Sequence, residues 1–153
     1  MRKSPFRIRS MQQLYLGFSF IFSARDTFMA YAAQVLSMLV ALQHFYIAYI
    51  EIFAWEKPRT MKTFGTDATF AASSAILAKN QGLYNAFIGF GLIWGLLYSN
   101  SIASAHIQIF FLSCVVVAGI FGGLTSKNMR IMWFQSSPAL VAWLFLYAHM
   151  QVN

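Results

Sequence analysis

The chain has 153 residues, of which 59% are hydrophobic, 18% aromatic and 10% charged, and its mean hydropathy is +0.58. Soluble domains carry about 25% charged residues, so this composition excludes an ordinary water-soluble globule. The counts of 3 Pro, 9 Gly and 1 Cys also exclude a disordered chain, a collagen-like repeat and a disulfide scaffold. The expected solvent is lipid, and the length suits one small helical domain.

The formal net charge of +7 comes from clusters of basic residues separated by long uncharged stretches. Residues 80–126 and 131–153 contain no Lys, Arg, Asp or Glu. Basic clusters that bound apolar runs are typical of membrane insertion and unlike a nucleic-acid-binding face. We therefore expect membrane lipids as partners and no nucleic acid. The clusters lie at the N-terminus (Arg2, Lys3, Arg7, Arg9, Arg25), in one connection (Lys57, Arg59, Lys62, Lys79) and in a second connection (Lys127, Arg130).

The first 28 residues form an N-terminal extension with three interpretations. A basic start is followed by an apolar run of 11 residues at 14–24 and then by Arg25 and Asp26. This order resembles a signal peptide, although Phe22 makes cleavage after Ala24 unfavourable. An uncleaved signal anchor with its N-terminus inside also fits the charges. The third interpretation is that translation starts at Met29 and that the preceding residues are not part of the working protein. The remaining residues, 29–153, are expected to form a single four-span membrane domain.

Four segments are long and apolar enough for spanning helices, namely residues 31–53, 81–98, 107–124 and 131–149. In lipid every backbone polar group must be paired, so these segments are helices or strands of a closed barrel. Their continuous apolarity, without alternation at period two, excludes the barrel. We predict an all-α four-helix transmembrane bundle, with an extra short N-terminal hydrophobic helix as an open alternative.

The long connection, residues 54–80, is predicted to contain a turn and a helix. Pro58 cannot continue the first helix and places a turn at residues 55–59. Thr66 is the expected N-cap of a helix over residues 67–79, with Asp67 near its positive end and Lys79 near its negative end. That helix either lies along the bilayer surface or packs under the bundle, unless the segment is a plain connector.

The distribution of Lys and Arg predicts the orientation. The connections at 54–80 and 125–130 are basic, whereas residues 99–106 and 150–153 carry no Lys or Arg. The positive-inside rule therefore places the first two in the cytoplasm and the C-terminus outside. We expect a multi-pass protein of the inner (plasma) membrane.

Two ionisable residues in the first predicted span favour a functional site, because such groups are costly in lipid. His44 and Glu51 are seven residues apart, so they share one helix face with a rise of about 10 Å between them. This separation prevents both from binding one metal ion through this helix alone. Ala48 lies between them and would leave room in the wall of a slot.

Further polar residues are expected at the same cytoplasmic depth as Glu51, with His44 as the floor of the site. Pro138 follows Gln135 by three residues and frees a backbone carbonyl one turn earlier. The structural alternative is that the amides form hydrogen bonds between helices. We assign no metal, cofactor or catalytic residue. The candidate ligand-binding residues are His44, Glu51, Asn80, Gln81, Tyr84, Asn85 and Gln135.

The pairs Gly91 with Gly95 and Gly119 with Gly123 have the spacing that lets helix backbones approach closely. Packing inside the bundle is the expected use of both pairs, and a homodimer is an open alternative.

Several parts of the sequence carry a family resemblance. They are residues 41–47 and 49–53, the Asn-Gln-Gly-Leu-Tyr-Asn motif at 80–85, residues 91–95 and 118–122, and Gln135 with Pro138 and Ala139. The chain resembles the domain-of-unknown-function 1304 family of small bacterial integral membrane proteins. The resemblance implies a Glu before the histidine, where this chain has Gln43. It includes no counterpart of the residues before Met29, which favours a displaced start. It implies fold and membrane location but brings no activity.

Three classes of function remain. The first is a ligand-binding or transport protein whose polar pocket takes a small hydrophobic or cationic ligand from the cytoplasmic side. The second is an intramembrane enzyme that acts on a lipid or isoprenoid through acid-base chemistry of His44 and Glu51. The third is a non-catalytic membrane subunit. We rank binding or transport above the enzyme, because acid-base catalysis needs a substrate-fitted geometry that residue spacing alone cannot establish.

Overall fold

The computed structural model describes the backbone of residues 5–151 and the side chains of residues 24–151. All regular secondary structure within residues 5–151 is helical, which confirms the all-α class. The five helices are α1 (Pro5–Phe53), α2 (Pro58–Phe64), α3 (Ala68–Leu97), α4 (Ser101–Thr125) and α5 (Met129–Met150).

Three helical segments within the described residues are long and apolar enough to cross a membrane: Ala24–Phe53, Ser101–Thr125 and Met129–Met150. They contain the predicted spans 31–53, 107–124 and 131–149. The remaining predicted span, 81–98, ends one residue beyond α3, a helix of 30 residues. Helix α3 is not among the three candidate spans, because Lys79, Asn80, Gln81 and Asn85 interrupt its apolar sequence.

The extension predicted at residues 1–28 is described only in part. Residues 1–4 lie outside the described residues, as do the side chains before Ala24. The expectations for Arg2, Lys3, Arg7, Arg9 and the apolar run at 14–24 concern side chains outside this description. The backbone of α1 is helical from Pro5 onward without interruption.

The helix ends follow from short polar residues, Pro and Gly. Pro58 occupies the start of α2, where its missing N–H costs no hydrogen bond. Gly65 ends α2 in the left-handed region with φ of 69°. The predicted cap at Thr66 is wrong by one residue, because the Asp67 carboxylate accepts from the Phe70 N–H at 2.7 Å. Asn100 and Asn128 cap α4 and α5 in the same way.

The predicted separate helix over residues 67–79 is also wrong, because α3 runs unbroken from Ala68 to Leu97. No Pro or Gly stands between Ala68 and Gln81 to interrupt it. Trp55 attaches the first half of α3 to the end of α1, since its Nε1–H donates to Ser74 Oγ at 3.1 Å. The segment is neither a free surface helix nor a plain connector.

The four long helices pack around one apolar core. Helix α1 contacts α3 on one flank and α5 on the other, and α4 contacts the same two helices from the opposite side. Residues 98–100 join α3 to α4 and residues 126–128 join α4 to α5, whereas the longer connection between α1 and α3 contains α2. Consecutive long helices run antiparallel. Fully buried side chains at the centre include Val40, Leu92, Leu112 and Val115.

The paired glycines are contact points between helices of this chain. A Cβ on Gly91 would collide with the Phe111 ring of α4, and one on Gly119 would collide with Ser136 Oγ of α5. A Cβ on Gly95 would lie 2.7 Å from Gln108 Cγ of α4, and one on Gly123 would lie 2.5 Å from Met132 Cβ of α5. This confirms the expectation that these glycines serve packing within the chain.

One end of the helix assembly carries most of the described basic residues. It comprises the last turn of α1, all of α2, the start of α3 and the connection between α4 and α5. We call it the basic end. Its basic residues are Lys57, Arg59, Lys62, Lys79, Lys127 and Arg130.

Candidate functional site

Three consecutive residues of α1 determine which way the candidate site faces. Gln43 donates a hydrogen bond to α5. Phe45 packs against Gly89 of α3, where a Cβ added to Gly89 would lie 2.8 Å from Phe45 Cε1. His44 lies between these two flanks and therefore faces the interior, where it is 3% exposed. Glu51 is seven residues further along, a spacing that predicts the same face. That His44 and Glu51 share a face remains a prediction from their spacing.

His44 has one defined hydrogen bond. Its Nδ1 lies 2.9 Å from the carbonyl oxygen of Val40. A carbonyl can only accept, so Nδ1 carries the proton in this contact. In the neutral ring Nε2 is then an acceptor, available to a donor in the interior.

Glu51 and Asn85 form the central contact of the candidate site. The Asn85 Nδ2 donates to Glu51 Oε2 at 2.7 Å and to the Gln81 carbonyl at 3.2 Å. Both partners are acceptors, which fixes the orientation of the amide. Glu51 is partly exposed, and none of the described Lys, Arg or His side chains forms an ion pair with it. The result is a carboxylate in a candidate span with an amide as its hydrogen-bonding partner.

A close approach of two backbones brings Glu51 and Asn85 together. A Cβ on Gly82 would lie 2.6 Å from Ile52 Cγ1 and 3.0 Å from the Ala48 carbonyl oxygen. Helix α3 therefore rests directly on α1 one turn before Asn85. The slot expected beside Ala48 is occupied by this contact, so the space next to Ala48 serves helix packing.

The remaining candidate residues are placed differently. Asn80, Gln81 and Tyr84 are exposed on α3, and the Tyr84 ring neighbours Phe87 on the same helix at 6.3 Å between centroids. Gln135 lies at the contact of α5 with α4, where its Cβ is 3.0 Å from an added Cβ on Gly119. The structure thus joins Glu51 with Asn85 and the Gln81 backbone, and it places Gln135 against α4.

Sequence reasoning missed the role of Gln43. Its Nε2 donates to the Phe134 carbonyl at 2.6 Å. This carbonyl is the one that Pro138, four residues later, leaves without an intrahelical donor. The signal was available, because Pro138 predicts a free carbonyl and Gln43 is an amide on the neighbouring span. Gln43 Oε1 is buried without a hydrogen-bond partner.

An open groove of about 530 Å³ lies beside this bond, between α1 and α5. Its lining is mostly apolar. The lining residues are Leu39, Gln43, Trp133, Phe134, Ser137 and Pro138.

Comparisons with known proteins bear on the whole of this region. A family model described as Protein of unknown function (DUF1304) matches residues 38–147. The chain belongs to that family. Uncharacterized protein YpaA of Lactococcus lactis subsp. lactis (strain IL1403) is 38% identical to this DUF1304 protein over 110 residues, which are 71% of this chain and 90% of the relative. No solved structure matches the chain.

Proposed function

We propose that this DUF1304 protein is a small ligand-binding or transport protein with four membrane spans, in which Glu51 binds a cationic ligand. The hydrogen bond from Asn85 to Glu51 is the observation that carries the proposal. A carboxylate within a span is retained where it has a partner or a function. One amide leaves the charge of Glu51 unneutralised, so a cation is the complementary ligand.

The proposal assigns a different role to each side chain. Glu51 supplies the charge, and Asn85 holds one carboxylate oxygen while the other remains free to bind. His44 lies deeper on α1, beyond the contact of Gly82 with Ala48, so the proposal assigns it no contact with the ligand. The exposed amides of Asn80 and Gln81 lie on α3 just before the contact with Glu51, where they can meet an approaching ligand.

The orientation of the protein is part of the proposal. We assign the basic end to the cytoplasm, because positively charged connections are retained on that side. With α3 as a fourth span, the C-terminus lies outside the inner (plasma) membrane. Glu51 is then reached from the cytoplasm. Glu51 and Asn85 meet within one chain, so the proposed site needs no second copy.

Equilibrium binding of tetraphenylphosphonium, a lipophilic organic cation, tests this proposal on the purified full chain in nanodiscs. Glu51→Gln keeps the size of the side chain and removes its charge, so we expect the dissociation constant to rise by about tenfold or more. Glu56→Gln is the matched control, because Glu56 is exposed in the turn directly after α1. We expect its binding to stay within about twofold of the wild type.

The outcomes separate the proposed site from its alternatives. Equal loss of binding in both variants would show that the cation senses surface charge and would overturn the assignment to Glu51. No binding by folded wild type would overturn it as well. Lipid analysis of a deletion host that expresses wild type, Glu51→Gln or His44→Ala then distinguishes a lipid-modifying enzyme from a non-catalytic subunit.

A further inference from the structure

The groove between α1 and α5 ends towards Arg130, with which none of the described carboxylates forms an ion pair. Its walls are the exposed side chains of Leu39, Trp133 and Phe134, at 53%, 65% and 58% of their full exposure. Its volume of about 530 Å³ falls in the range of small-molecule sites. The apolar walls fit a hydrocarbon chain.

Arg130 continues the groove towards the basic end. It precedes Trp133 by three residues, Phe134 by four and Ser137 by seven, so all four share one face of α5. Arg130 is exposed in the first turn of α5. Its Cα therefore lies about one helical turn, roughly 5 Å along the helix axis, from that of Trp133 in the groove wall.

The facing part of α1 offers no carboxylate to neutralise Arg130. Gln43 lies opposite Phe134, and the two helices are antiparallel, so Arg130 is level with residues 46–48 of α1. These are Tyr46, Ile47 and Ala48. Glu51 lies on the interior face and is bonded to Asn85. An anion that approaches Arg130 from the groove therefore meets an unopposed positive charge.

We propose that this groove binds an anionic phospholipid, with its phosphate at Arg130 and one acyl chain along Trp133, Phe134 and Leu39. Lys127, exposed in the preceding connection, adds a second positive charge near the headgroup. Basic residues next to grooves between membrane helices recognise such headgroups. The site is separate from Glu51, so its test does not depend on cation binding.

Native mass spectrometry of the detergent-purified full chain tests the site, with phosphatidylglycerol and phosphatidylcholine of equal chain length as probes. We expect the wild type to retain phosphatidylglycerol in preference. Arg130→Gln should reduce this preference by about fivefold, the effect of one basic residue at a membrane surface. The matched control is Arg59→Gln, because Arg59 is also exposed at the basic end but lies on α2.

A second variant tests the acyl chain independently of the charge. Ser137→Phe places a ring in the groove and leaves Arg130 intact, so we expect weaker retention of both lipids. Glycerol phosphate is a competitor that carries the headgroup chemistry without the chain, and it should not displace bound lipid.

Each opposite result would overturn the proposal. Equal loss of preference in Arg130→Gln and Arg59→Gln would indicate general surface attraction. Unchanged retention in folded Ser137→Phe would place the lipid elsewhere, and displacement by glycerol phosphate would indicate a phosphate site without a chain. A lipid-free dimer that dissociates in Ser137→Phe would identify a second copy as the occupant.

Discussion

The two flanks of α1 contact their neighbouring helices in opposite ways. Towards α3 the backbones touch at Gly82, and the Phe45 ring covers Gly89. This close packing lets Asn85 form a direct hydrogen bond with Glu51. Towards α5 the helices leave an open groove, and the Gln43 amide bridges to a backbone carbonyl of α5. The same helix therefore has one closely packed flank and one open flank.

This difference shows where glycine and proline act in the assembly. On the α3 flank, glycine has no side chain and so lets the helices approach closely. In lipid, dispersion forces between the packed helices stabilise this contact. On the α5 flank Pro138 removes a backbone donor, and a side chain from the neighbouring helix replaces it. The glycine contact gives shape complementarity between α1 and α3, and the hydrogen bond at Pro138 gives a specific polar link between α1 and α5 beside the groove.

The largest expected effect comes from filling the closely packed flank. Gly82→Ala places a methyl group 2.6 Å from Ile52 Cγ1 and 3.0 Å from the Ala48 carbonyl oxygen. Because the helices must separate or repack, we expect a loss of about 1–3 kcal/mol in the free energy of unfolding. Unfolding by sodium dodecyl sulfate in mixed micelles measures it.

Gly122→Ala is the control for this prediction. Gly122 also lies within a helix, but its nearest neighbour would be Ile131 Cγ2 at 4.0 Å, an ordinary contact. We expect no loss, because alanine is the better helix former by roughly 0.5–1 kcal/mol. If both substitutions lower the free energy of unfolding by the same amount, the prediction is wrong, and close approach at Gly82 does not determine the packing of α1 against α3.

A smaller effect is expected from the polar link on the open flank. Gln43→Leu leaves the Phe134 carbonyl without a donor, and we expect a cost of about 1 kcal/mol. In a Pro138→Ala background the residue at 138 has its own N–H, so the loss of Gln43 should cost less than half as much. The same unfolding measurement on the four proteins of this double-mutant cycle gives the coupling.

Equal costs of Gln43→Leu in the two backgrounds would mean that the amide acts on something other than the carbonyl freed by proline. Gln43→Glu sharpens the comparison further. A carboxylate cannot donate to a carbonyl when ionised, so we expect this variant to be at least as destabilised as the leucine variant.

The sequence predicted where the long apolar segments lie, because length and composition are local properties. Pro58 also marks a boundary that local chemistry sets. The caps Asn100 and Asn128 were not predicted, and the expected spans at 107 and 131 begin after the observed starts of α4 and α5. The continuity of α3 was missed at Lys79, where the composition changes from amphipathic to apolar. A change of polarity does not end a helix, and the absence of Pro and Gly before Gly82 was the better guide.

The candidate site was harder to predict, because its contacts depend on the register between helices. Spacing alone placed His44 and Glu51 on one face. That Asn85 bonds Glu51, while Tyr84 beside it is exposed, depends on how Gly82 fits against Ala48. Gln43 was treated as a missing carboxylate, although its amide is what the carbonyl of Phe134 requires. Pairing a freed carbonyl with a donor on another helix needs their relative height, which one sequence does not contain.

The smallest predicted effect tests how far the closely packed flank extends past the end of α1. Trp55→Phe removes the donor to Ser74 Oγ but keeps a ring beside Phe64, whose centroid lies 5.1 Å from that of Trp55. Ser74 keeps its bond to the Phe70 carbonyl at 2.6 Å, so no buried group loses its last partner. We expect the free energy of unfolding to fall by about 0.5 kcal/mol and amide hydrogen exchange in α2 to become faster.

Trp94→Phe is the control, because Trp94 is 56% exposed on the same helix as Ser74. Faster exchange of α2 in both variants would mean that the tryptophan to serine bond does not hold this end of the flank, whereas an effect confined to Trp55→Phe extends the contact between α1 and α3 into the basic end.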